Sequence, residues 1–521
     1  MEDQQKIDLF EKLPVPRAVM KLAVPTILSS LVMVLYNLAD TYFVGMLNDP
    51  IQNAGVALAA PVLLAFNAIN NLFGVGSSSM MSRALGRRDY ETVYKSSAFG
   101  FYSSILCGLL FSLLCTVFAG PLLGLLGADE TTYDATMGYM FWTVNLGAMP
   151  AILNVVMAYL VRAEGASLHA SLGTMSGCLL NIALDPIFIL PWGFDMGAAG
   201  AGLATFLSNC VACLYFFVLL YVKRGRTYVS IHPKMYRWKK EIVLGVFGVG
   251  VPASIQNLLN VTGMTVLNNF TAAYGANAVA AMGIAQKINQ VPMQISMGVS
   301  QGIMPLISYN YASRNVSRMK GTLLFTVKIA LSFMVAVALG YFFFAGPLTE
   351  MFMSNPDVVA YGAAFLRGFC LGLPFLCMDF IAVGVFQATG LGRNALIFAI
   401  LRKIVLEIPA LFVLNWLFPL YGLAYAQFTA EILLAVAAVL VLAFLLVSCN
   451  VNILNYLWHG MHFPNMLPFR FSFLFSFVLL TLAGAGLILY GVLFGYYRNF
   501  REMSYALYTM GAPKHTMGGL L

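Results

Sequence analysis

Charge is scarce in this chain. Only 10% of its 521 residues are Asp, Glu, Lys or Arg, whereas hydrophobic residues reach 60%. Soluble domains carry about 25% charged residues, so three soluble domains of ordinary size are excluded. Such a chain needs lipid as part of its solvent, and apolar stretches near or above the ~20 residues that cross a bilayer recur along it. The first twenty residues lack a signal-peptide core: Glu2, Asp3, Lys6, Asp8, Glu11, Lys12 and Arg17 carry both signs of charge, and the first span is expected to remain in the mature protein. Polar loops lack cysteine. Of the eight, only Cys449 lies at the end of a span, and the Cys210–Cys213 spacing without a soluble redox context reads as small membrane-face residues. A Walker motif is missing, which excludes ATP hydrolysis by this chain, and so are a catalytic triad and a metal motif. No enzyme is expected.

Spans are read near 22–46, 53–81, 95–119, 135–161, 168–191, 197–222, 243–270, 278–304, 321–345, 360–388, 394–418 and 421–447. The loops at 47–53, 120–134, 192–196, 272–277, 346–357 and 418–420 contain no lysine or arginine. The alternate loops hold Arg83, Arg87, Arg88 and Lys95, then Arg162, then Arg314, Arg318 and Lys320, then Arg393. Lys223, Arg224, Arg226, Lys234, Arg237, Lys239 and Lys240 follow the sixth span. This positive-inside pattern predicts a multi-pass protein of the cell (inner) membrane with a cytoplasmic amino terminus. The net charge of +8 is therefore topological. It is not a nucleic-acid footprint, because no basic face interleaves with exposed aromatics.

The two halves resemble each other. Ala23-Val24-Pro25 is matched by Gly250-Val251-Pro252, Gly120-Pro121-Leu122 by Gly346-Pro347-Leu348, and Arg162-Ala163-Glu164-Gly165 by Gln387-Ala388-Thr389-Gly390. Six spans per repeat with the same starting side make the repeats parallel. The expected fold is an all-α polytopic membrane protein: twelve transmembrane helices in two six-helix lobes, with a substrate cavity between them. The expected units are a cytoplasmic segment 1–21, a first lobe 22–222, a basic linker 223–241, a second lobe 242–447 and an extension 448–521 with an atypical apolar run. A channel would more often repeat a short filter motif, and none is found.

The order of these features resembles the multidrug and toxic compound extrusion (MATE) family over about 22–447, with the bacterial DinF-like and MepA-like branch the nearest likeness. The resemblance rests on Leu35-Tyr36-Asn37-Leu38-Ala39-Asp40-Thr41 and on Asn181-Ile182-Ala183-Leu184-Asp185-Pro186. Pro305-Leu306-Ile307-Ser308-Tyr309-Asn310-Tyr311 and Phe386-Gln387-Ala388-Thr389-Gly390 support it. It implies export of an organic, cationic small molecule, driven by inward movement of Na+ or H+, by a monomer in membrane lipid without any cofactor. It also implies that Asp40, Asn181, Asp185 and Thr205 form a cation site in the first lobe, and that the first helix bends at Pro25. Pro252 is the matching hinge candidate.

The residues themselves point the same way. Asp40, Asp185, Asp379, Glu407 and Glu431 fall within spans, as does Lys287. An ionisable group at mid-bilayer costs at least about 2.5–3.5 kcal/mol on insertion scales, so it faces a cavity or a partner. Tyr36 and Asn37 are expected on the face of Asp40, and Asn181 on that of Asp185. A carboxylate with an amide oxygen suits a hard cation or a protonated carboxyl in a network. A static interhelical hydrogen bond is the plainer reading of each polar residue. Tyr36, Asn37, Asp379, Lys287 and Gln256 are candidates for the substrate cavity. Lys287, Glu407 and Glu431 can alternatively neutralise one another as a structural cluster. The many methionines and phenylalanines would suit varied lipophilic cations as a cavity wall, or simply face lipid.

In the extension, His459 and His462 read as surface histidines rather than metal ligands. The apolar run 471–495 would carry Arg498, Arg501 and Lys514 to the wrong side of the membrane. The segment 498–514 is faintly similar to a coupling segment of ABC-type permeases, which suggests a fusion, an artefact or an interfacial helix. A lipid-linked saccharide flippase is the alternative function. It would need several cations in the central cavity, and Lys287 is the one clear mid-span cation in this reading.

Overall fold

The twelve helices are present in a computed structural model that describes residues 2–47 and 49–436. The extension, with His459, His462 and the run at 471–495, lies outside the described residues. Among those residues there is no strand. A short helix, Glu2–Glu11, precedes the spans. The first lobe comprises Val15–Met46, Pro50–Gly86, Tyr90–Val117, the pair Tyr133–Asn145 and Ala148–Ala163 bent by 45°, Ser167–Ile189 and Gly197–Val222. The second comprises Lys240–Ala272, Ala276–Ala312, Val316–Glu350, Pro356–Ala388, a helix from Gly392 to Leu417, and Gly422–Val436, where the described residues end.

Among the described residues, eight single helices and the bent pair are long and apolar enough to span on their own. The eighth and eleventh are not, for a physical reason. The eighth carries Gln286, Lys287, Asn289, Gln290, Gln294 and Gln301, and its half from Ser296 to Asn310 is almost wholly buried against other helices. The eleventh carries Arg402, Lys403 and Glu407, in a π-helical stretch Leu401–Glu407. Further π segments, Asn71–Val75 and Phe141–Asn145, interrupt the second and fourth spans. Such wide turns leave carbonyls to be satisfied from outside the helix and recur at functional places.

The linker is not a loose tether. Tyr228 N and Thr227 Oγ1 donate to Glu164 Oε2 at 2.6 and 2.9 Å, and Tyr102 in the third span donates its hydroxyl to Ile231 O at 2.7 Å. The linker thus lies on the first lobe.

The lobes meet along the end that bears the basic loops. The eighth span packs on the first and second, and the seventh on the second. Contact there is backbone to backbone: a Cβ built on Gly302 would stand 2.6 Å from Ala23 Cα, and one on Gly250 would collide with the carbonyl of Leu72. Ser79 Oγ donates to Gln387 O at 2.5 Å, and Arg162 Nη1 to Gln301 Oε1 at 3.2 Å. Arg162, expected in a loop, is a buried residue of the last helical turn of the fourth span. Moving away from the basic end, the last inter-lobe hydrogen bond among the described residues joins Ser254 to Ala68 O. Ser254 is fourteen residues into its helix, or about 21 Å at 1.5 Å per residue, so the seam stops near mid-membrane. Pro25 and Pro252 stand at the level of the seam, within helices that run on past them.

Candidate functional site

Asp40 lies ten residues beyond Ser30, the last first-span residue at the Gly298 contact, or about 15 Å at helical rise. Asp185, near the end of the fifth span, reaches the same level. Both therefore sit in the half of the first lobe beyond the seam. Asp185 is fully buried and Asn181 2% exposed. The four-residue spacing stacks them on one helix face. Asn181 lies between Asp185 and Thr205 of the sixth span. In the amide orientation that satisfies both neighbours, Nδ2 donates to Asp185 Oδ2 at 2.9 Å, and Oδ1 accepts from Thr205 Oγ1 at 3.2 Å and Thr205 N at 3.1 Å. Tyr36 completes the group: its hydroxyl reaches Thr205, and it lies within electrostatic range of both Asp40 and Asp185. Asp40 keeps Oδ1 buried with no hydrogen-bond partner.

One member was not expected from sequence. Tyr139, a buried residue of the fourth span, lies within electrostatic range of Asp40, Tyr36 and Asp185. A tyrosine in an aromatic-rich helix carries no motif, and only the packing of Gly202 against its backbone signals its place. Asn37 departs from expectation: it is exposed, and no hydrogen bond joins it to Asp40. Residues 36 and 37 point about 100° apart on a helix, so only one follows Asp40 inward.

The arrangement holds two carboxyl groups, an amide oxygen and three hydroxyls, and among the described residues no basic side chain acts on either aspartate. These are hard oxygen donors, fitting either a small cation or protons carried by the carboxyl groups.

The second lobe is built differently. Arg402 Nε donates to Glu431 Oε1 at 2.8 Å and Nη2 to the same oxygen at 2.6 Å. Its guanidinium lies 5.3 Å from the ring centre of Phe380. Lys403 Nζ meets Glu407 at 2.6 and 2.8 Å. These geometries correct the expected cluster: Lys287 neutralises neither glutamate and is exposed. Nor is it the sole mid-span cation. Arg402 and Lys403 stand nine and ten residues beyond Arg393, where the apolar flanks conceal them from a loop count. Asp379 is 1% exposed, faces Glu431, and has no hydrogen-bond donor for either oxygen. It borders a cavity of ≈ 10 Å³ with Gln256, Asn260 and Arg402, room for about one water and not for a drug. Gln256 also accepts from Gln387 Nε2 at 3.3 Å.

Comparison with known proteins follows the same division. The MatE family model matches residues 25–187 and again 252–413, one copy per lobe. A second model, bacterial membrane protein YfhO, matches 389–509, overlapping the end of that second copy and running into the extension. The chain is 35% identical over 442 residues to the multidrug export protein MepA of Staphylococcus aureus strain MRSA252, covering 85% of this chain and 96% of that one. It is 35% identical over 444 residues to MepA of Staphylococcus saprophyticus, with the same coverage. The fold is similar to the outward-facing conformation of a multidrug resistance MATE family transporter of the MOP superfamily, with TM-score 0.81 and 26% identity over 86% of this chain and 99% of that one. The duplicated match, the two-lobed helical architecture and these relatives together place this chain in the MatE family, as a MATE transporter of the membrane.

Proposed function

We propose that this transporter is a cation-coupled antiporter that exports organic, cationic solutes by alternating access, with Asp40, Asp185, Asn181, Thr205 and Tyr36 as the coupling site. The observation that carries the reading is the pair of carboxyl groups, Asp185 buried and Asp40 with a buried, orphaned Oδ1, without a basic partner among the described residues. A buried polar group without a partner costs about 1–3 kcal/mol, more when charged, so the site gains by taking up Na+ or H+. A cavity that is anionic when empty accepts the coupling ion or a cationic drug, and holding both is costly. Competition for the same negative charge then produces exchange. The names of the MepA relatives support drug export as the class of activity. The positive-inside pattern supports a cytoplasmic amino terminus in the cell membrane. On that orientation the seam closes the cytoplasmic side, and the coupling site opens outward. Pro25 and Pro252, each inside a helix that runs on past it, are the hinges of this reading, and the protein acts as a monomer in lipid.

The flippase alternative needs unpaired cations in the cavity. Arg402 and Lys403 are each ion-paired with a glutamate, so that reading gains nothing from them. The test is efflux of a fluorescent cationic dye from proteoliposomes under an imposed pH or Na+ gradient, for wild type and Asp40→Asn. Dye movement driven by one gradient and lost in the variant names the ion. Equal transport by wild type and variant overturns the site assignment.

A further inference from the structure

The ten-residue helix before the first span stands at the closed end, and it touches both lobes. Towards the first lobe, Lys6 Nζ lies 2.9 Å from Glu164 Oε1 and donates to Arg226 O in the linker at 2.8 Å. Leu9 and Phe10 cover Gly165: a Cβ there would stand 2.9 Å from the Phe10 ring and 3.0 Å from Leu9 Cδ2, and the φ of +87° itself favours glycine. Towards the second lobe, Phe10 stacks on Tyr309 with ring centres 4.8 Å apart and planes 10° apart. Phe10 is fully buried there and Leu9 5% exposed.

The end of this helix is held by the second lobe. The last carbonyls of any helix have no partner within it. Here Arg318, at the start of the ninth span, donates Nε to Phe10 O at 2.5 Å, and Nη2 to Leu13 O at 2.5 Å and Leu9 O at 3.2 Å. A guanidinium at a helix C-terminus also complements the helix dipole. One carboxylate joins the two sides: Glu11 Oε1 accepts from the Tyr309 hydroxyl at 2.6 Å and from Arg88 Nη2 at 3.3 Å. Tyr309 belongs to the second lobe and Arg88 to the first.

We infer that the amino-terminal helix is a latch that holds the lobes together at the basic end, with Glu11 as the clasp and Arg318 and Phe10 as its anchorage on the second lobe. The lobes cannot separate at this end while all these contacts persist. Opening strips the helix from one lobe, exposes Phe10 or Leu9 to water, and leaves the Glu11 carboxylate one donor short. The latch thus biases the transporter toward the conformation closed at the basic end. A ligand or gradient that drives opening must overcome it. It acts on the conformational equilibrium and not on the ion or the solute.

The test uses the full chain in nanodiscs, with the native cysteines replaced and spin labels at Lys234 and Lys320. Both positions are exposed at the basic end, one on the linker bound to the first lobe and one on the second. Distance distributions are measured by double electron–electron resonance without substrate or gradient, so the result is independent of the coupling reading. Glu11→Gln and Phe10→Ala should each enlarge the long-distance population at least about threefold relative to the parent. Tyr309→Phe, which keeps the stacked ring and removes only the hydroxyl, should shift it in the same direction by less. Unchanged distributions in Glu11→Gln and Phe10→Ala, with both proteins monodisperse and as thermostable as the parent, would overturn the latch. A shift toward shorter distances would overturn it as well.

Discussion

The two lobes descend from one repeat, yet they treat buried charge in opposite ways. The first gathers Asp40 and Asp185 with hydroxyl and amide groups and supplies no cation. The second sets Arg402 against Glu431 and Lys403 against Glu407, and places Asp379 beside Glu431 and Arg402 at a cavity of about one water. An uncompensated acid pair is costly and stays responsive to ions. A compensated pair is fixed in place, and breaking it costs more than making it gains. On the proposed function, the first repeat serves as the ion-responsive lobe and the second as a braced one.

The sharpest way to break this comparison is to neutralise the first lobe. Asp40→Asn with Asp185→Asn should abolish gradient-driven dye export, at least about tenfold or 1.4 kcal/mol in transport free energy, while the protein folds and inserts. Retained export in proteoliposomes would move the coupling site elsewhere. In the second lobe the same kind of change should act on stability. Arg402→Met strands Glu431 and should cost about 3–5 kcal/mol, seen as a lower melting temperature in detergent. Arg402→Met with Glu431→Leu should recover most of that loss. If the single variant melts like wild type but loses transport, the second lobe is not merely braced.

Between the lobes, Gly302→Ala places a methyl group against Ala23. Overpacking of this kind costs about 1–3 kcal/mol, and it should shift the population toward opening at the basic end, read by the same Lys234–Lys320 distances. The smallest effect is expected at Thr205→Val. Losing one hydroxyl from the Asn181 network costs about 1 kcal/mol, so ion dependence should weaken about fivefold in the half-saturating Na+ or H+ concentration without loss of maximal export.

Much of this was legible in the chain. Intramembrane acids stand out against so apolar a background that Asp40 and Asp185 could be singled out at once, and four-residue spacing tied Asn181 to Asp185. Thr205 is harder to recognise, because a threonine in a small-residue helix has no charge to mark it, and Tyr139 was passed over altogether. Arg402 and Lys403 were missed for a related reason. They lie inside the span read at 394–418, where helical rise carries them about 14 Å beyond Arg393 into the bundle, and nothing in the apolar run marks which acid each one meets. Lys287 pairs with neither glutamate, since a mid-span position does not say which face of the helix a residue occupies.

Apolar length, loop charge and the duplicated motifs by themselves determined the spans, the repeat and the family, because lipid demands continuous helices and each such helix writes its own length into the chain. Which charges pair, where the lobes meet and what the helix Glu2–Glu11 holds together were decided only by tertiary structure. Those contacts join residues up to 309 positions apart, and no local pattern encodes the partner of a side chain across a helix interface.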